Sequence, residues 1–186
     1  INGIVTYVSD TASPTVSYVS KKLNLKGLPI KAVNTLVYKN LFRKFLKNNN
    51  FNYPDFKIFK SKEKIDNFID KIGYPFFIKP IDSSGSKGVT KVVKKIFIKK
   101  AISEALNYSK KKKFIIERII ERKGYQIAGD GFVMNKKLVF RCWGDEHFNE
   151  KLNGLITIGP SLPSVHQEKK FKIAHQETQR IIDLLG

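Results

Sequence analysis

The stretch from Gly73 to Val89 contains residues whose types and spacing suit the binding of a phosphate group. Lys79 follows a short apolar run, Phe76–Ile78, that is typical of a buried strand, so we expect its ammonium group at the end of that strand. Residues 82–88, DSSGSKG, are small, and their two glycines can adopt positive φ. A fixed cation beside a loop that exposes backbone N–H groups can hold phosphate. The alternative interpretation is an ordinary hairpin loop in a basic protein.

Helices and strands alternate around this stretch. The spacing of apolar residues predicts a β-α-β-β-α-β order from Phe56 to Glu117, which makes a compact α+β lobe of about 60 residues. Its predicted elements are a strand at 56–59, a helix from Ser61, strands at 76–78 and 89–93, a helix at 98–108, and a strand at 114–116 that ends in Glu117.

The flanking regions follow different patterns. Before the lobe we expect a strand at 1–8, a helix from Ser9 to about Lys22 and one helix from Val33 to Lys47. After it, two alternating segments joined by Asn135-Lys136 predict a β-hairpin. The remaining expectations are a polar loop at 144–149, an extended segment at 154–158 and a final helix at 167–185.

Composition indicates a folded protein in a reducing compartment. The hydrophobic fraction is 41% and the aromatic fraction 12%, values of globular rather than disordered chains. Cys142 is the only cysteine, so an internal disulfide is impossible and a cytoplasmic location is expected. The sequence contains no secretory signal and no apolar run near the ~20 residues that span a bilayer, so no membrane partner is expected. It starts with Ile1 rather than Met, which leaves room for a lost leader.

The net charge of +19, from 35 basic and 16 acidic residues, would attract anions. A basic module that binds nucleic acid is therefore the rival function, with the lysines of residues 94–113 as its surface. The lysines are scattered, with one block at Lys110–Lys113, and they are not interleaved with aromatic residues as on a base-stacking surface. We interpret most of this charge as solvated surface and do not favour nucleic acid as a partner.

Taken together, widely spaced motifs make the chain resemble the ATP-grasp superfamily, and within it the ligases similar to carbamoyl-phosphate synthase and biotin carboxylase. The matching motifs are YKNLFRKFL (38–46), YPDF (53–56), GYPFFIKP and SSGSKGV (73–89), FIIERII (114–120), and GYQIAGDGFV with KKLVF (124–140). The resemblance implies an α+β fold with two α+β lobes that sandwich ATP. It divides the chain into a remnant of a preceding α/β domain with linker (1–35), a first lobe (36–116, with a lid at about 54–116) and a partial second lobe (117–186).

The resemblance also implies roles for individual residues. Lys39 and Lys79 match the two lysines that hold the nucleotide phosphates, and the loop matches the lid over those phosphates. Glu117 matches the acidic residue at the adenine end, where the backbone of Ile119 and Ile120 would read the adenine edge. Gln126 stands where family members usually have a glutamate for the ribose, and Arg141 and His147 lie in a region that serves phosphate or substrate. The lid residues are Ser83, Ser84, Gly85, Ser86 and Gly88.

The implied function is that of an ATP-dependent ligase that activates a small carboxylate as an acyl phosphate and joins it to an amine. An ATP-grasp phosphotransferase without ligation is a further alternative. The family binds Mg²⁺ through acidic residues and an asparagine on late strands, which we expect beyond Gly186, so the chain given is expected to be a truncated and inactive ATP-binding fragment. The resemblance assigns no catalytic residue, no particular carboxylate or amine, and no oligomeric state.

Overall fold

The chain forms two compact units, Ile1–Ile120 and Glu121–Gly186. The computed structural model describes residues 1–7, 9–60, 63–149 and 153–186. Helices and strands are mixed in both units, which confirms the predicted α+β class. The three-part division that the resemblance implies, with its borders after residues 35 and 116, stays a prediction.

The first unit holds a four-stranded antiparallel sheet in the order β1-β4-β2-β3. The predicted β-α-β-β-α-β order is confirmed, with one 3₁₀ turn, Lys95–Phe97, before the second helix. The elements of this unit are α1 (Ser13–Lys22), α2 (Ile30–Val37), α3 (Lys39–Asn48), β1 (Phe56–Lys60), α4 (Asp66–Ile72), β2 (Phe76–Pro80), β3 (Thr90–Val92), α5 (Ile98–Tyr108) and β4 (Lys113–Arg118).

The core of the first unit explains which side chains the strands leave for other uses. Successive strand residues point to opposite faces of a sheet. Phe76 and Ile78 of β2 therefore lie in the core, whereas Phe77 and Lys79 point to the opposite face, and Glu117 of β4 shares that opposite face because it pairs in register with Phe77. The buried core cluster consists of Phe59, Ile69, Ile72, Phe76, Ile78, Val92, Ala101, Ala105, Phe114 and Ile116.

The structure corrects two expectations for the N-terminal region. Residues 1–7 form no strand, and Val8 lies outside the described residues. A strand needs a neighbour for its backbone hydrogen bonds, and neither described sheet includes this segment. The single helix predicted from Val33 to Lys47 is also wrong, because Tyr38 is extended (φ −88°, ψ 113°) and separates α2 from α3. At this break the Lys39 amide donates to the Ile81 carbonyl at 2.9 Å.

The start of α4 departs from the predicted start at Ser61. Helix α4 begins at Asp66, and Ser61 and Lys62 lie outside the described residues. The other predicted helix of the lobe, at 98–108, coincides with α5.

The second unit is a three-stranded antiparallel sheet, in the order β5-β6-β7, with one helix. Its elements are β5 (Gln126–Met134), β6 (Lys137–Asn149), β7 (Asn153–Ser161) and α6 (Glu168–Leu185). The predicted hairpin is confirmed, with Asn135 and Lys136 both at positive φ (48° and 64°), as a two-residue turn of this kind requires. The predicted polar loop at 144–149 is wrong: β6 continues through it, since Asp145 pairs with β5 on one side and with β7 on the other.

Candidate functional site

Glu117 is the centre of a charged cluster in the first unit. The residue is only 2% exposed and lies near the end of β4. Its carboxylate accepts hydrogen bonds from the guanidinium of Arg43, with Nε 3.0 Å from Oε2 and Nη2 3.4 Å from Oε1. It also accepts one from the ammonium group of Lys79. A single buried carboxylate therefore links α3, β2 and β4.

Opposing effects act on the pKa of Glu117. Burial raises the pKa of this carboxyl, while Lys79 and then Arg43 lower it through their charges and hydrogen bonds. The two cations prevail, so the pKa lies below its ordinary value. Glu117 is therefore ionised at neutral pH and binds Lys79 and Arg43 as a charged acceptor.

Lys39, at the first position of α3, is the third cation of the cluster. Its side chain is half-buried, and its ammonium group donates to the Ser83 carbonyl. Burial lowers the pKa of Lys39, and the nearby charge of Lys79 lowers it further, whereas Glu117 and two aspartates act in the other direction. The net lowering of the pKa means that the carboxylates around Lys39 do not fully compensate its buried charge. An anion brought beside Lys39 would supply the missing counter-charge.

The loop at 82–88 runs beside these lysines in a turn-rich conformation. Gly85, Ser86 and Gly88 have positive φ of 62°, 57° and 70°. A Cβ atom at Gly88 would lie 2.9 Å from the Tyr108 ring, so this position requires glycine both for its φ and for its close packing. The Ser83 hydroxyl donates to the Lys87 carbonyl at 3.0 Å, which ties the two ends of the loop together.

The donor set of this cluster fits a nucleotide phosphate. Lys39 and Lys79 are cations with several N–H donors each, and a lysine ammonium binds phosphate oxygens as a point charge. The structural observation in favour of an anion there is the hydrogen bond from Lys39 to the Ser83 carbonyl, which holds this cation beside the 82–88 loop. The residues after β4, Ile119 and Ile120, belong to no helix or strand, so no sheet pairing occupies their backbone groups.

The remaining predicted site residues lie in the second unit and make contacts of their own. Gln126 is an exposed residue at the start of β5. Arg141 donates to the Phe171 carbonyl at 2.8 Å and to Glu168 at 3.3 Å, which holds α6 against β6. His147 lies 2.9 Å from the Ser161 hydroxyl and packs against the ring of Tyr125. The roles implied for Gln126, Arg141 and His147 stay predictions.

Comparison with known families gives a match over residues 45–138, just over half of the chain, to the family described as D-ala D-ala ligase C-terminus. The chain belongs to this family. The matched region contains Lys79, the 82–88 loop and Glu117. The predicted resemblance to ATP-grasp ligases is confirmed, while the narrower resemblance to carbamoyl-phosphate synthase is not.

The relatives of this family member include several D-alanine–D-alanine ligases. The chain is 41% identical over 91 residues to D-alanine–D-alanine ligase B of Clostridium perfringens, a match that covers 48% of the chain and 29% of that protein. It is 29% identical over 174 residues to the D-alanine–D-alanine ligase of Parabacteroides distasonis, covering 86% of the chain and 51% of that protein. The chain thus spans about half or less of the length of these relatives.

Solved structures show the same fold. The VanG D-Ala:D-Ser ligase from Enterococcus faecalis has a TM-score of 0.74 at 19% identity, over 94% of this chain and 52% of the other. An L-amino acid ligase from Bacillus licheniformis has a TM-score of 0.71 at 21% identity, and the match covers 100% of this chain and 42% of that ligase. These likenesses establish the ATP-grasp fold for this member of the D-ala D-ala ligase family.

Two features of this ligase-family chain were not predicted from its sequence. Arg43 lies four residues after Lys39 on α3, and that helical spacing was the signal that could have placed both cations near Glu117.

Asp145, in the second unit, is fully buried and accepts hydrogen bonds from the Ser164 hydroxyl (2.6 Å) and the Val165 amide (2.7 Å). Burial raises the pKa of Asp145, but these hydrogen bonds prevail and lower it.

The described residues contain no group of side chains that could together bind a metal ion. Across residues 1–7, 9–60, 63–149 and 153–186, no three His, Cys, Asp or Glu side chains come together as metal ligands would. The expected Mg²⁺ ligands beyond Gly186 stay a prediction. The described helices are all too short or too polar to cross a membrane.

Proposed function

We propose that this chain is the ATP-binding part of an ATP-dependent ligase that joins a small carboxylate to an amine. The charged cluster of Lys39, Lys79 and Glu117 beside the 82–88 loop carries the proposal. Family membership supports it, because relatives that carry the matched region are D-alanine–D-alanine ligases. By the same likeness we propose an amino acid as the carboxylate and a second amino acid as the amine.

In this proposal Lys39 and Lys79 bind the phosphate oxygens of ATP. Glu117 positions Lys79, because its ionised carboxylate accepts from that ammonium group and from Arg43 on the neighbouring helix. The backbone of Ile119 and Ile120 binds the adenine edge, and N–H groups of the 82–88 loop add donors for phosphate. When bound, ATP supplies the phosphoryl group that activates the carboxylate, and Mg²⁺ would neutralise charge on that group.

Binding of ATP by the Lys79→Ala variant tests this proposal. Loss of a hydrogen-bonded cation should weaken ATP binding at least about tenfold, because hydrogen bonds to charged groups contribute roughly 1.5–3 kcal/mol. The affinity is measured by isothermal titration calorimetry on the full chain, with circular dichroism to verify folding. Lys44→Ala is the matched control, since Lys44 is an exposed lysine on α3, the helix that begins with Lys39. Equal affinity of the wild type and Lys79→Ala would refute the role of Lys79.

A further inference from the structure

An exposed surface that is both basic and apolar lies between β3 and the first turns of α5. Residues 91–100 contain five lysines and no acidic residue. Three apolar side chains are exposed among them, with exposed fractions of 80% for Ile96, 48% for Val93 and 47% for Phe97. We call this surface the basic–apolar patch, and its lysines are Lys91, Lys94, Lys95, Lys99 and Lys100.

The outward direction of the apolar side chains follows from how this segment folds. Val92 is fully buried in the core, Ala101 is buried as well, and Ile98 packs against the same core. These residues are the part of the segment that packs in the core, and Val93, Ile96 and Phe97 therefore face the solvent. Single exposed apolar residues are common, but three within five positions form a local apolar surface.

Lysines and apolar residues of the patch lie together on the surface. Lys91, Val93, Phe97 and Lys100 line the same shallow cleft of about 280 Å³. Glu104 is the carboxylate of this cleft, and it accepts a hydrogen bond from the Thr90 hydroxyl at 3.2 Å. Two of the lysines thus lie beside two of the exposed apolar side chains, and the carboxylate of the cleft is engaged by Thr90.

We propose that the basic–apolar patch adsorbs to the surface of a bilayer that contains anionic lipids. Lysines attract anionic headgroups, and apolar side chains enter the boundary between headgroups and acyl chains. The five lysines and three exposed apolar residues of this short segment match this layered chemistry. Such adsorption needs no membrane-spanning segment. The proposal therefore differs from the expectation of no membrane partner, which rested on the lack of such a segment in the sequence. It does not rest on the proposed ligase function.

The side chains of the patch favour a lipid surface over nucleic acid or an acidic protein. Residues 91–100 contain no Arg, Asn or Gln, three of the side chains that read base edges through paired hydrogen bonds. The most exposed apolar residue, Ile96, is aliphatic and cannot stack on a base. Protein interfaces are depleted in lysine and enriched in arginine, the opposite of this patch. Binding to a fluid anionic surface requires only diffuse positive charge and a few apolar side chains that can insert.

Vesicle co-sedimentation of the full chain tests the proposal. We expect binding to phosphatidylcholine vesicles that contain about 30% phosphatidylglycerol, and none to pure phosphatidylcholine. Ile96→Ser should weaken binding about tenfold, because an inserted aliphatic side chain is lost. The Lys95→Gln/Lys99→Gln variant should weaken it about 25-fold, since each lysine near an anionic surface strengthens adsorption roughly fivefold. All three positions are exposed, so folding should be unaffected.

Matched controls separate the patch from the general charge of the protein. Lys44→Gln/Lys47→Gln removes the same charge from exposed positions of α3, and Leu28→Ser removes an exposed aliphatic side chain elsewhere. Both should bind vesicles nearly as the wild type does. Equal weakening by the control and patch variants would overturn the proposal, as would absence of vesicle binding. Tighter binding to a single-stranded oligonucleotide than to vesicles, unchanged by Ile96→Ser, would instead assign the surface to nucleic acid and also overturn it.

Discussion

Replacing Glu117 with glutamine should destabilise the first unit strongly although the two side chains have nearly the same shape. Both carboxylate oxygens accept from cationic donors: Oε2 from Arg43 and Oε1 from Arg43 and Lys79. Glutamine has one acceptor oxygen, so its NH₂ group must face one of these donors. The substitution therefore removes the compensating charge and places two donors against each other in a buried site.

The magnitude follows from the burial of the partners. Removing one member of a buried ion pair costs roughly 3–5 kcal/mol, because the remaining charge is left uncompensated. The Glu117 side chain is 3% exposed, whereas Arg43 and Lys79 are 22% and 18% exposed and can recover some hydration. We therefore expect a loss of about 3 kcal/mol in the free energy of unfolding of the first unit, at the lower end of that range.

Urea unfolding followed by circular dichroism measures this loss. With a slope of about 2 kcal/mol per molar urea, the midpoint should fall by roughly 1.5 M. Hydrogen exchange at β4 amides assigns the change to the first unit. Glu121→Gln is the control, because Glu121 is exposed and four residues further along the chain, and its effect should stay within about 0.5 kcal/mol.

The pH dependence provides an independent check on the same side chain. The pKa of Glu117 is lowered in the folded chain from its ordinary value of 4.5, so its stabilising contribution is complete above that pH. The contribution is lost as the pH falls through the lowered folded pKa. The stability difference between the wild type and Glu117→Gln should therefore shrink below about pH 4.5. A wild-type midpoint in Glu117→Gln, or a difference that stays constant on acidification, would refute the reasoning.

Two further substitutions test local geometry. Gly88→Ala should lower the stability of the first unit by about 1–3 kcal/mol in urea unfolding, and by more than Gly85→Ala does. Both glycines have positive φ, but only at Gly88 would the new methyl group contact Tyr108. Equal losses in the two variants would rule out that contact. Asp145→Asn should destabilise the second unit at neutral pH and less in acid, because the pKa of Asp145 is lowered in the folded chain. The fluorescence of Trp143 reports the unfolding of this unit. Unchanged stability at neutral pH would contradict a stabilising role of the buried carboxylate.

The α+β lobe was predictable because its elements follow simple periods. Strand residues 76–78 and 114–116 are apolar runs, and α5 repeats its inward residues at helical spacing, so local sequence determined these elements. Lys79 and Glu117 could likewise be placed at the ends of strands. Family resemblance was needed to connect them, since their contact depends on the register between β2 and β4.

Other features depended on contacts between residues far apart in sequence. The break at Tyr38 is coupled to a hydrogen bond from Lys39 to Ile81, which no local pattern reveals. The continuation of β6 through residues 144–149 was missed because polar residues there suggested a loop. Asp145 is tolerated at a buried position of β6 since Ser164 and Val165 donate hydrogen bonds to it from about 20 residues away. Burial of a polar residue becomes predictable only when its partners are known.

The central position of β4 in the first sheet has a consequence for biosynthesis. Strands β1 and β2 do not pair with each other, and each pairs with β4, the last strand of the lobe to be translated. Pairing of β1 with β4 closes a loop of some 50 residues, a non-local step that slows folding. On a ribosome, β1 therefore remains without its partner until residues 113–118 have emerged. Because β4 also carries Glu117, the sheet and the charged cluster are completed by the arrival of the same six residues.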